Sequence, residues 1–261
     1  MVYLRLFWIF LRVSVISEFQ YRVNFFVQLF QSALALGTGL VAMSLVFSYT
    51  QNLAGWTQPE LLAVMGVHII VGGLIKTVIQ PNMNRLIEDI QEGTLDFALT
   101  KPADAQAIIS VREFRIWQLI DLVLGSVVLG YAISQLSTSL GWLSALAFAA
   151  AVLLGGLMIY SVWLMLSVGA FWIIRADNFL EIFDSLYQAG RWPVSIYPGW
   201  LKHTLTFVLP IAFAVTLPAE TLARQLNGQN LLFALGLTVL LLVVSRLFWR
   251  FGLRHYTGAS A

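Results

Sequence analysis

The longest uncharged stretch of the chain constrains the fold most. From Leu122 to Ile174 there is no Asp, Glu, Lys or Arg. This length accommodates two helices of about 20 residues each, the number needed to cross a bilayer. A soluble domain could not solvate such a surface, and the whole chain agrees, with 59% hydrophobic and only 11% charged residues. The sequence therefore predicts an all-α, polytopic membrane protein.

Hydropathy and proline positions divide the chain into six predicted spans within one transmembrane domain, residues 1–261. Residues 1–23 are apolar but interrupted by charges such as Arg5 and Arg12, which favours a helix at the membrane interface. Pro81 is expected to end the second span. Four prolines break residues 191–230 into short apolar pieces, so we expect an extracellular segment with a re-entrant helical hairpin there. The predicted spans are Phe25–Phe47, Leu61–Ile79, Ile116–Ile133, Trp142–Ile174, the half-polar Phe179–Gly190 and Leu231–Phe251.

The basic residues indicate which side of the membrane holds the termini. Six spans place both termini on the same side. If that side is the cytoplasm, all fifteen lysines and arginines except Arg191, Lys202 and Arg224 face it, as the positive-inside rule requires. We therefore expect a multi-pass protein of the inner (plasma) membrane with both termini cytoplasmic. The net charge of +2 gives no reason to invoke nucleic acid, and the expected surroundings are membrane lipids.

The loop between the second and third spans, residues 80–114, contains the most polar part of the chain, Glu88–Pro102. Its apolar members alternate with charges, and Gly93 permits a tight break. A loop that needed only water would not need apolar residues, whereas a short amphipathic helix that docks on a soluble partner needs both kinds. A solvated connector without a partner is the alternative interpretation. The apolar members are Ile90, Leu95, Phe97 and Leu99.

Two groups of motifs carry a resemblance to a known family. The run from Glu92 to Asp96, EGTLD, is followed by Leu99, Lys101 and Pro102, and it resembles the cytoplasmic loop of ABC-2 type permeases. That loop reads roughly Gly-x-Leu-Asp-x-x-Leu-x-Lys-Pro. A second set resembles the proline-spaced segment before the last span of the same family. It comprises Gly190-Arg191-Trp192-Pro193, Tyr197-Pro198, Leu209-Pro210 and Leu217-Pro218-Ala219. With the six-span layout and the N-terminal helix, the resemblance covers nearly the whole chain.

The resemblance implies an export permease that pairs with a second permease subunit, identical or related, and is driven by a cytoplasmic ABC ATPase dimer. The loop at 80–114 would form a coupling helix seated on the ATPase, and the N-terminal helix would transmit its movement. ATP and magnesium would be bound by the ATPase, so no cofactor is expected in this chain. The residues that would contact the ATPase are Glu88, Asp89, Glu92, Gly93, Leu95 and Asp96.

The motifs of catalysis and nucleotide binding are missing from the sequence. A P-loop needs Gly immediately before Lys, but the three lysines follow Ile75, Thr100 and Leu201. There is no HExxH or GxSxG motif, the three histidines are scattered, and there are no cysteines. We therefore predict neither a catalytic residue nor a metal site, and we do not expect the chain to be an enzyme by itself.

Two basic groups and one carboxylate fall inside the second and third spans. Asp121 is expected to pair with a basic residue such as Arg115 or Arg22, or to line an inner vestibule. Lys76 is expected to extend its side chain to the membrane interface, which avoids most of the cost of burying its charge. His68 is expected to be a hydrogen-bonded packing residue rather than a proton relay.

The predicted fifth span contains two carboxylates. Glu181 and Asp184 are three residues apart and therefore share one helix face. They could attract a cationic substrate, or they could form salt bridges to Arg175 or Arg191. The sequence does not choose between these roles.

Three functional classes remain open. The first is an ABC-2 type exporter subunit that moves an amphipathic or lipid-like molecule outward. The second is an ion-coupled secondary transporter, which the carboxylates at Asp121, Glu181 and Asp184 would favour. The third is a membrane scaffold that does not transport. Drugs, lipids and lipid-linked glycans fit the aromatic and Leu-rich spans equally well.

Overall fold

Helices make up the regular structure of the part of the chain that the computed structural model describes, residues 2–20, 22–136, 141–173, 177–224 and 228–256. Short 3-10 turns precede α6 at Ile116–Gln118 and follow α8 at Gln188–Arg191. The all-α prediction is confirmed. Numbered along the chain, the helices are α1 Val2–Gln20, α2 Arg22–Tyr49, α3 Gln58–Gln91, α4 Asp96–Leu99, α5 Ala105–Ile109, α6 Leu119–Gln135, α7 Trp142–Val168, α8 Asp177–Tyr187, α9 Gly199–Val208, α10 Ala212–Ala223 and α11 Gly228–Leu253.

Five of these helices, α2, α3, α6, α7 and α11, are long and apolar enough to cross a membrane, which confirms a polytopic membrane protein. α9 and α10 pass the same test only together, and they meet at an angle of 77°. The predicted fifth span corresponds to α8, which has only 11 residues before its 3-10 extension. Ile174, the predicted end of the fourth span, lies outside the described residues.

The centre of the bundle is the pair α3 and α6, which pack closely because glycines face each other. A β-carbon on Gly66 would lie 2.9 Å from the backbone nitrogen of Leu129. One on Gly125 would lie 2.8 Å from the backbone nitrogen of Ile70. Small residues allow helix backbones to approach in a bilayer, where apolar side chains gain little by leaving lipid. α3 is consequently the most buried of the long helices.

The prediction that Pro81 ends the second span is wrong. α3 runs on to Gln91, and Pro81 follows a π-helical turn at Ile75–Ile79. Proline has no N–H, so the carbonyl four residues earlier, that of Thr77, loses its usual helical donor. The backbone N–H of Arg115 takes its place at 3.0 Å. A tertiary hydrogen bond thus replaces the missing helical one, and the helix continues.

The predicted re-entrant hairpin is formed by α9 and α10. Before it, Ser195 accepts a hydrogen bond from the indole nitrogen of Trp56 at 3.0 Å. After it, Arg224 forms an ion pair with Glu60 at 3.1 Å and donates to the carbonyl of Gly55 at 2.6 Å. Both ends of the hairpin therefore lie at the same end of the bundle, beside the turn between α2 and α3. The chain dips into the bundle and returns, as the sequence indicated.

Both described terminal regions lie at the opposite end of the bundle, beside residues 80–114. Ser14 in α1 accepts a hydrogen bond from the backbone N–H of Phe114 at 3.2 Å, and the indole of Trp117 donates to the carbonyl of Glu18 at 3.3 Å. Near the end of α11, Arg246 binds Asp104 in the same loop. The two described terminal regions therefore share one end of the molecule. That this end is cytoplasmic stays a prediction.

Candidate functional site

Residues 80–114, the loop predicted to couple to an ATPase, are named the coupling loop after that prediction. The loop begins as a direct continuation of α3. The helix ends at a turn where Gly93 has a φ of 71°, a left-handed conformation that glycine adopts without strain. After this turn the chain forms the short helices α4 and α5. The expected tight break at Gly93 is present, and the loop is structured. The first part of the loop, up to Gln91, is therefore continuous helix with α3.

Asp89 is the centre of the polar contacts that shape the loop. Its carboxylate lies 2.5 Å from Nη1 of Arg112 and 3.3 Å from Nε of Arg85. It also accepts a hydrogen bond from the hydroxyl of Thr94 at 3.1 Å, and its carbonyl accepts from the backbone N–H of Thr94 at 2.9 Å. The side chain of Asp89 is only 5% exposed. A buried charge needs such partners. Asp89 therefore joins the turn at Gly93 to the returning segment of the loop, which carries Arg112.

Asn82 attaches that returning segment to α3. Its side-chain amide nitrogen donates to the carbonyls of Val78 and Glu113, at 2.7 and 2.8 Å. Its amide oxygen accepts from the backbone N–H groups of Arg112 and Glu113, at 2.9 and 3.0 Å. The residue is fully buried. All the hydrogen-bonding positions of one side chain are therefore used to join two segments of backbone.

The outer surface of the loop differs from the set of contact residues predicted from the sequence. Glu88 and Glu92 are exposed, and Gly93 and Asp96 are partly exposed. Leu95 is fully buried and Asp89 nearly so, so neither side chain is available to a partner in this structure. Their burial argues against direct contact through these two side chains. The coupling role of all six residues stays a prediction.

Phe97 is the feature of this surface that the predicted set omitted. Its ring is 75% exposed, although it stands in α4 between two buried residues, Leu95 and Ala98. Large aromatic side chains in this position are typical of the anchor of a protein interface. The alternation of apolar and charged residues in the sequence was the available signal, but it did not show which apolar residues would face outward.

Asp104 connects the loop to the last helix. Its carboxylate binds Nη1 and Nη2 of Arg246 and accepts from the backbone N–H of Ala107, at 3.1 Å, at the start of α5. The charge-assisted hydrogen bonds from Arg246 hold the pKa of Asp104 below its ordinary value. About a third of each side chain is exposed, so this ion pair is a surface contact rather than a buried one.

Within the bundle there is a polar cleft of about 200 Å³ between α2, α3, α6 and the end of α8. We use the name polar cleft for this cavity. A neighbouring cavity of about 280 Å³ shares Met65 and Arg191 with it and continues along α2. A cleft lined by charged and amide side chains inside an apolar bundle marks a path or a binding site. Its polar lining residues are Gln28, Gln31, Ser32, His68, Lys76, Asp121, Tyr187, Gln188 and Arg191.

Asp121 is paired, but not with the arginines that the sequence suggested. Its carboxylate accepts a hydrogen bond from Ser32 and lies 3.8 Å from the ammonium of Lys76. The pairing follows from the close packing of α3 on α6, where a β-carbon on Gly73 would lie 3.1 Å from that of Asp121. Asp121 also lines the polar cleft, which was the alternative role. The side chain of Lys76 is about half exposed, and its ammonium also has an ion-pair partner in Asp121.

His68 and Arg191 both line the cleft, and the segment that carries Arg191 packs against His68. The His68 ring is stacked on Tyr187 with centroids 4.5 Å apart, so it is a packing residue as expected, yet its Nδ1 has no hydrogen-bond partner. A β-carbon on Gly190 would lie 3.4 Å from that nitrogen. His68 is ten residues into α3, about 15 Å from its start. Arg191 therefore lies beside the middle of α3 and lines the cleft, and its predicted position on the outer side of the membrane stays a prediction.

Glu181 and Asp184 lie outside the polar cleft, on a groove between α8 and the extension of α3. Asp184 accepts a hydrogen bond from the amide of Gln80 at 2.9 Å, and Glu181 is exposed. Neither carboxylate lies within 4 Å of a cation in the described ranges, so a bridge to Arg191 is not formed. Arg175, the other suggested partner, lies outside the described residues. Glu88 completes the acidic groove.

Taken together, the long apolar helices, the structured loop and the internal polar cleft are features of a polytopic membrane protein. The family model described as ABC-2 family transporter protein matches residues 33–260. The chain belongs to this ABC-2 transporter family, whose members are membrane permease subunits that work with an ABC ATPase. No significant match to the chain is found among the curated proteins or among the solved structures.

Proposed function

We propose that the chain is the membrane subunit of an ATP-driven exporter that moves an amphipathic or lipid-like molecule outward. A separate ABC ATPase dimer would bind the coupling loop, and a second permease subunit would complete the path. The observation that carries the proposal is the exposed ring of Phe97 on a loop that is otherwise held rigidly to α3.

The contacts of the loop support a mechanical role. Asp89 and Asn82 fasten the outgoing and returning segments of the loop to each other. α3 continues from the loop, past the π-helical turn, to the wall of the polar cleft. A force applied at Phe97 is therefore carried by helix and hydrogen-bonded backbone to Lys76 and His68. π-helical turns are frequent at functional sites, and Ile75–Ile79 lies beside the cleft.

Copurification of the chain with its ATPase tests the proposal. The variants Phe97→Ser and Glu92→Ala change exposed side chains, so the fold should persist. We expect Phe97→Ser to abolish or greatly reduce recovery of the ATPase, because interface anchors contribute about 2 kcal/mol or more, roughly thirtyfold in affinity. Glu92→Ala should weaken recovery less.

The matched control is Phe207→Ser in α9. Phe207 is also an exposed phenylalanine, at 52%, and it belongs to the hairpin rather than to the loop. It should leave recovery of the ATPase unchanged. If both serine variants retain the ATPase as well as the unchanged chain does, the loop is not the docking surface and the proposal fails.

An ion-coupled transporter has weaker support. Asp121 is engaged by Ser32 and Lys76, and a paired carboxylate is a poorer carrier of a cation than a free one. Transport that stops when an uncoupler removes the ion gradient, while ATP is maintained, would favour that alternative.

A further inference from the structure

We infer that the polar cleft binds the anionic headgroup of the exported molecule, with Arg191 as the principal cation. The inference rests on the proposed export function, because it names the class of cargo: an amphipath with a phosphate or carboxylate head.

The balance of charge in the cleft is the first observation. Two cations, Lys76 and Arg191, and a single carboxylate, Asp121, line it. Lys76 is 3.8 Å from Asp121, so these two charges compensate each other. Asp121 accepts a further hydrogen bond from Ser32, which in turn accepts from Gln28 at 2.9 Å. The carboxylate of Asp121, on α6, is therefore already engaged by groups on α2 and α3.

Arg191 is the one charged group lining the cleft that has no oppositely charged partner among the described residues. It donates to the neutral side-chain oxygen of Gln188 at 3.1 Å, and no carboxylate lies within 4 Å of it in the described ranges. Its position beside Met65 places it inside the bundle. Arg binds phosphate and carboxylate groups through two parallel hydrogen bonds, which a point charge such as Lys does not offer. An anionic group would supply the negative charge that the cleft lacks.

The unsatisfied nitrogen of His68 is the second, independent observation. Its residue is 94% buried, it lines the same cleft, and its Nδ1 has no hydrogen-bond partner. A buried polar atom without a partner is unusual in a folded protein and points to a ligand. Gly190 faces that nitrogen, and the next residue in the chain is Arg191. A buried nitrogen without a partner and a guanidinium without a carboxylate thus line the same cavity.

The surroundings of the cleft suit the rest of an amphipath. The neighbouring cavity along α2 is lined by Ala42, Met43, Met65 and Trp192, with Thr38 and Gly39. α2 itself exposes large apolar side chains such as Phe26 and Phe30. A chain attached to a headgroup at Arg191 therefore has an apolar route along α2. A sugar or a cationic drug would leave the guanidinium unpaired.

The test is a binding titration on the purified full-length chain, read by native mass spectrometry. The probes are oleoyl lysophosphatidate, with an anionic head, and oleoyl lysophosphatidylcholine, with the same tail and a zwitterionic head. We expect the unchanged chain to bind lysophosphatidate at least about tenfold more tightly, since a charge-assisted contact typically has this effect. Equal affinity for the two lipids would overturn the inference.

Three variants separate the charge of Arg191 from its packing. Arg191→Gln should remove the preference, whereas Arg191→Lys should retain part of it, because the charge remains but the two parallel hydrogen bonds are lost. Gln188→Glu keeps Arg191 and places a carboxylate beside it, at the position of the present 3.1 Å contact. This variant should also remove the preference, and it does so without shortening any side chain. Retention of the full preference in Gln188→Glu would contradict the inference.

The matched control is Arg250→Gln, which removes an exposed arginine from α11 outside the cleft. It should leave the preference unchanged, and an equal loss in Arg250→Gln and Arg191→Gln would indicate attraction by overall charge only. The titration contains no ATPase, so it does not depend on the loop. Loss of ATPase recovery tests the proposed function, and loss of headgroup preference tests this inference alone.

Discussion

The coupling loop and the hairpin of α9 and α10 are both interruptions between long helices, but different forces stabilise them. The loop is held by charged and amide side chains, with Asp89 and Asn82 at its centre. The hairpin is held by the close contact of small residues, such as Gly155 of α7 against Ala214. Its charged contacts are confined to the end of the bundle, where Arg224 meets Glu60.

The difference follows from what surrounds each segment. The charge of Asp89 is buried, and Arg85, Arg112 and Thr94 around it offset the cost of its desolvation, so these contacts shape the loop. Inside the bundle every backbone group must be satisfied within the protein. The hairpin does this with π-helical turns at Thr204–Val208 and Ala212–Thr216, which keep its hydrogen bonds local. Its tertiary stability then depends on the fit of its surface.

The largest expected effect is the loss of the buried charge in the loop. Asp89→Ala leaves Arg112, whose side chain is only 16% exposed, without its carboxylate. Breaking a buried pair from one side costs about 3–5 kcal/mol. We expect a correspondingly lower midpoint of thermal unfolding in detergent.

Glu88→Ala is the control for that change. Glu88 also pairs with an arginine, Arg85 at 3.1 Å, but both side chains are about half exposed. A surface pair contributes about 0–1 kcal/mol. If the two alanine variants destabilise the protein equally, burial of charge is not what holds the loop.

An intermediate effect is expected where the hairpin packs on α7. In Gly155→Ala the added β-carbon would lie 2.4 Å from the Cα of Ala214, so one of the two helices must move. Overpacking of this kind costs about 1–3 kcal/mol. The neighbouring Gly156→Ala is the control, because a β-carbon there meets nothing within 4 Å. Unfolding by heat should separate the two variants, and equal stability would show that the hairpin is not tightly fitted.

The smallest effect concerns the exposed pair of Asp104 and Arg246. The pKa of Asp104 is lowered in the folded protein, so its stabilisation is complete above the ordinary Asp pKa of about 3.9 and is lost as pH falls through the lower folded value. Asp104→Asn keeps an N-cap for α5 and removes only the charge. It should lower stability by less than about 1 kcal/mol at pH 7. The difference between the variant and the unchanged chain should shrink as the pH is lowered into the acid range, and a difference that persists unchanged there would exclude the charge as its source.

Much of the fold was predictable because lipid imposes simple requirements on a sequence. The long apolar runs gave α2, α6, α7 and α11 to within a few residues. The proline spacing of residues 191–230 gave the hairpin, since broken helices of that length cannot cross. The prediction that Pro81 ends a helix was wrong because it used only local sequence. The local effect of a proline is to end a helix, but Arg115, distant in sequence, supplies the donor that lets α3 continue.

The candidate site was less predictable, because it depends on which side chains face inward. Leu95 and Phe97 are both apolar and two residues apart, yet one is buried and the other is an exposed ring. Asp121 was expected to find a cation, and only the packing of α3 on α6 shows that the cation is Lys76.

The amino-acid sequence alone determined the class of this protein, its all-helical spans and the place of its polar loop, because hydrophobic length and charge are local properties of a chain. Tertiary structure alone decided which charges are paired, which aromatic ring remains exposed and that Arg191 faces a cleft inside the bundle. These depend on contacts between segments far apart in sequence, and a one-dimensional pattern does not contain the distances between them.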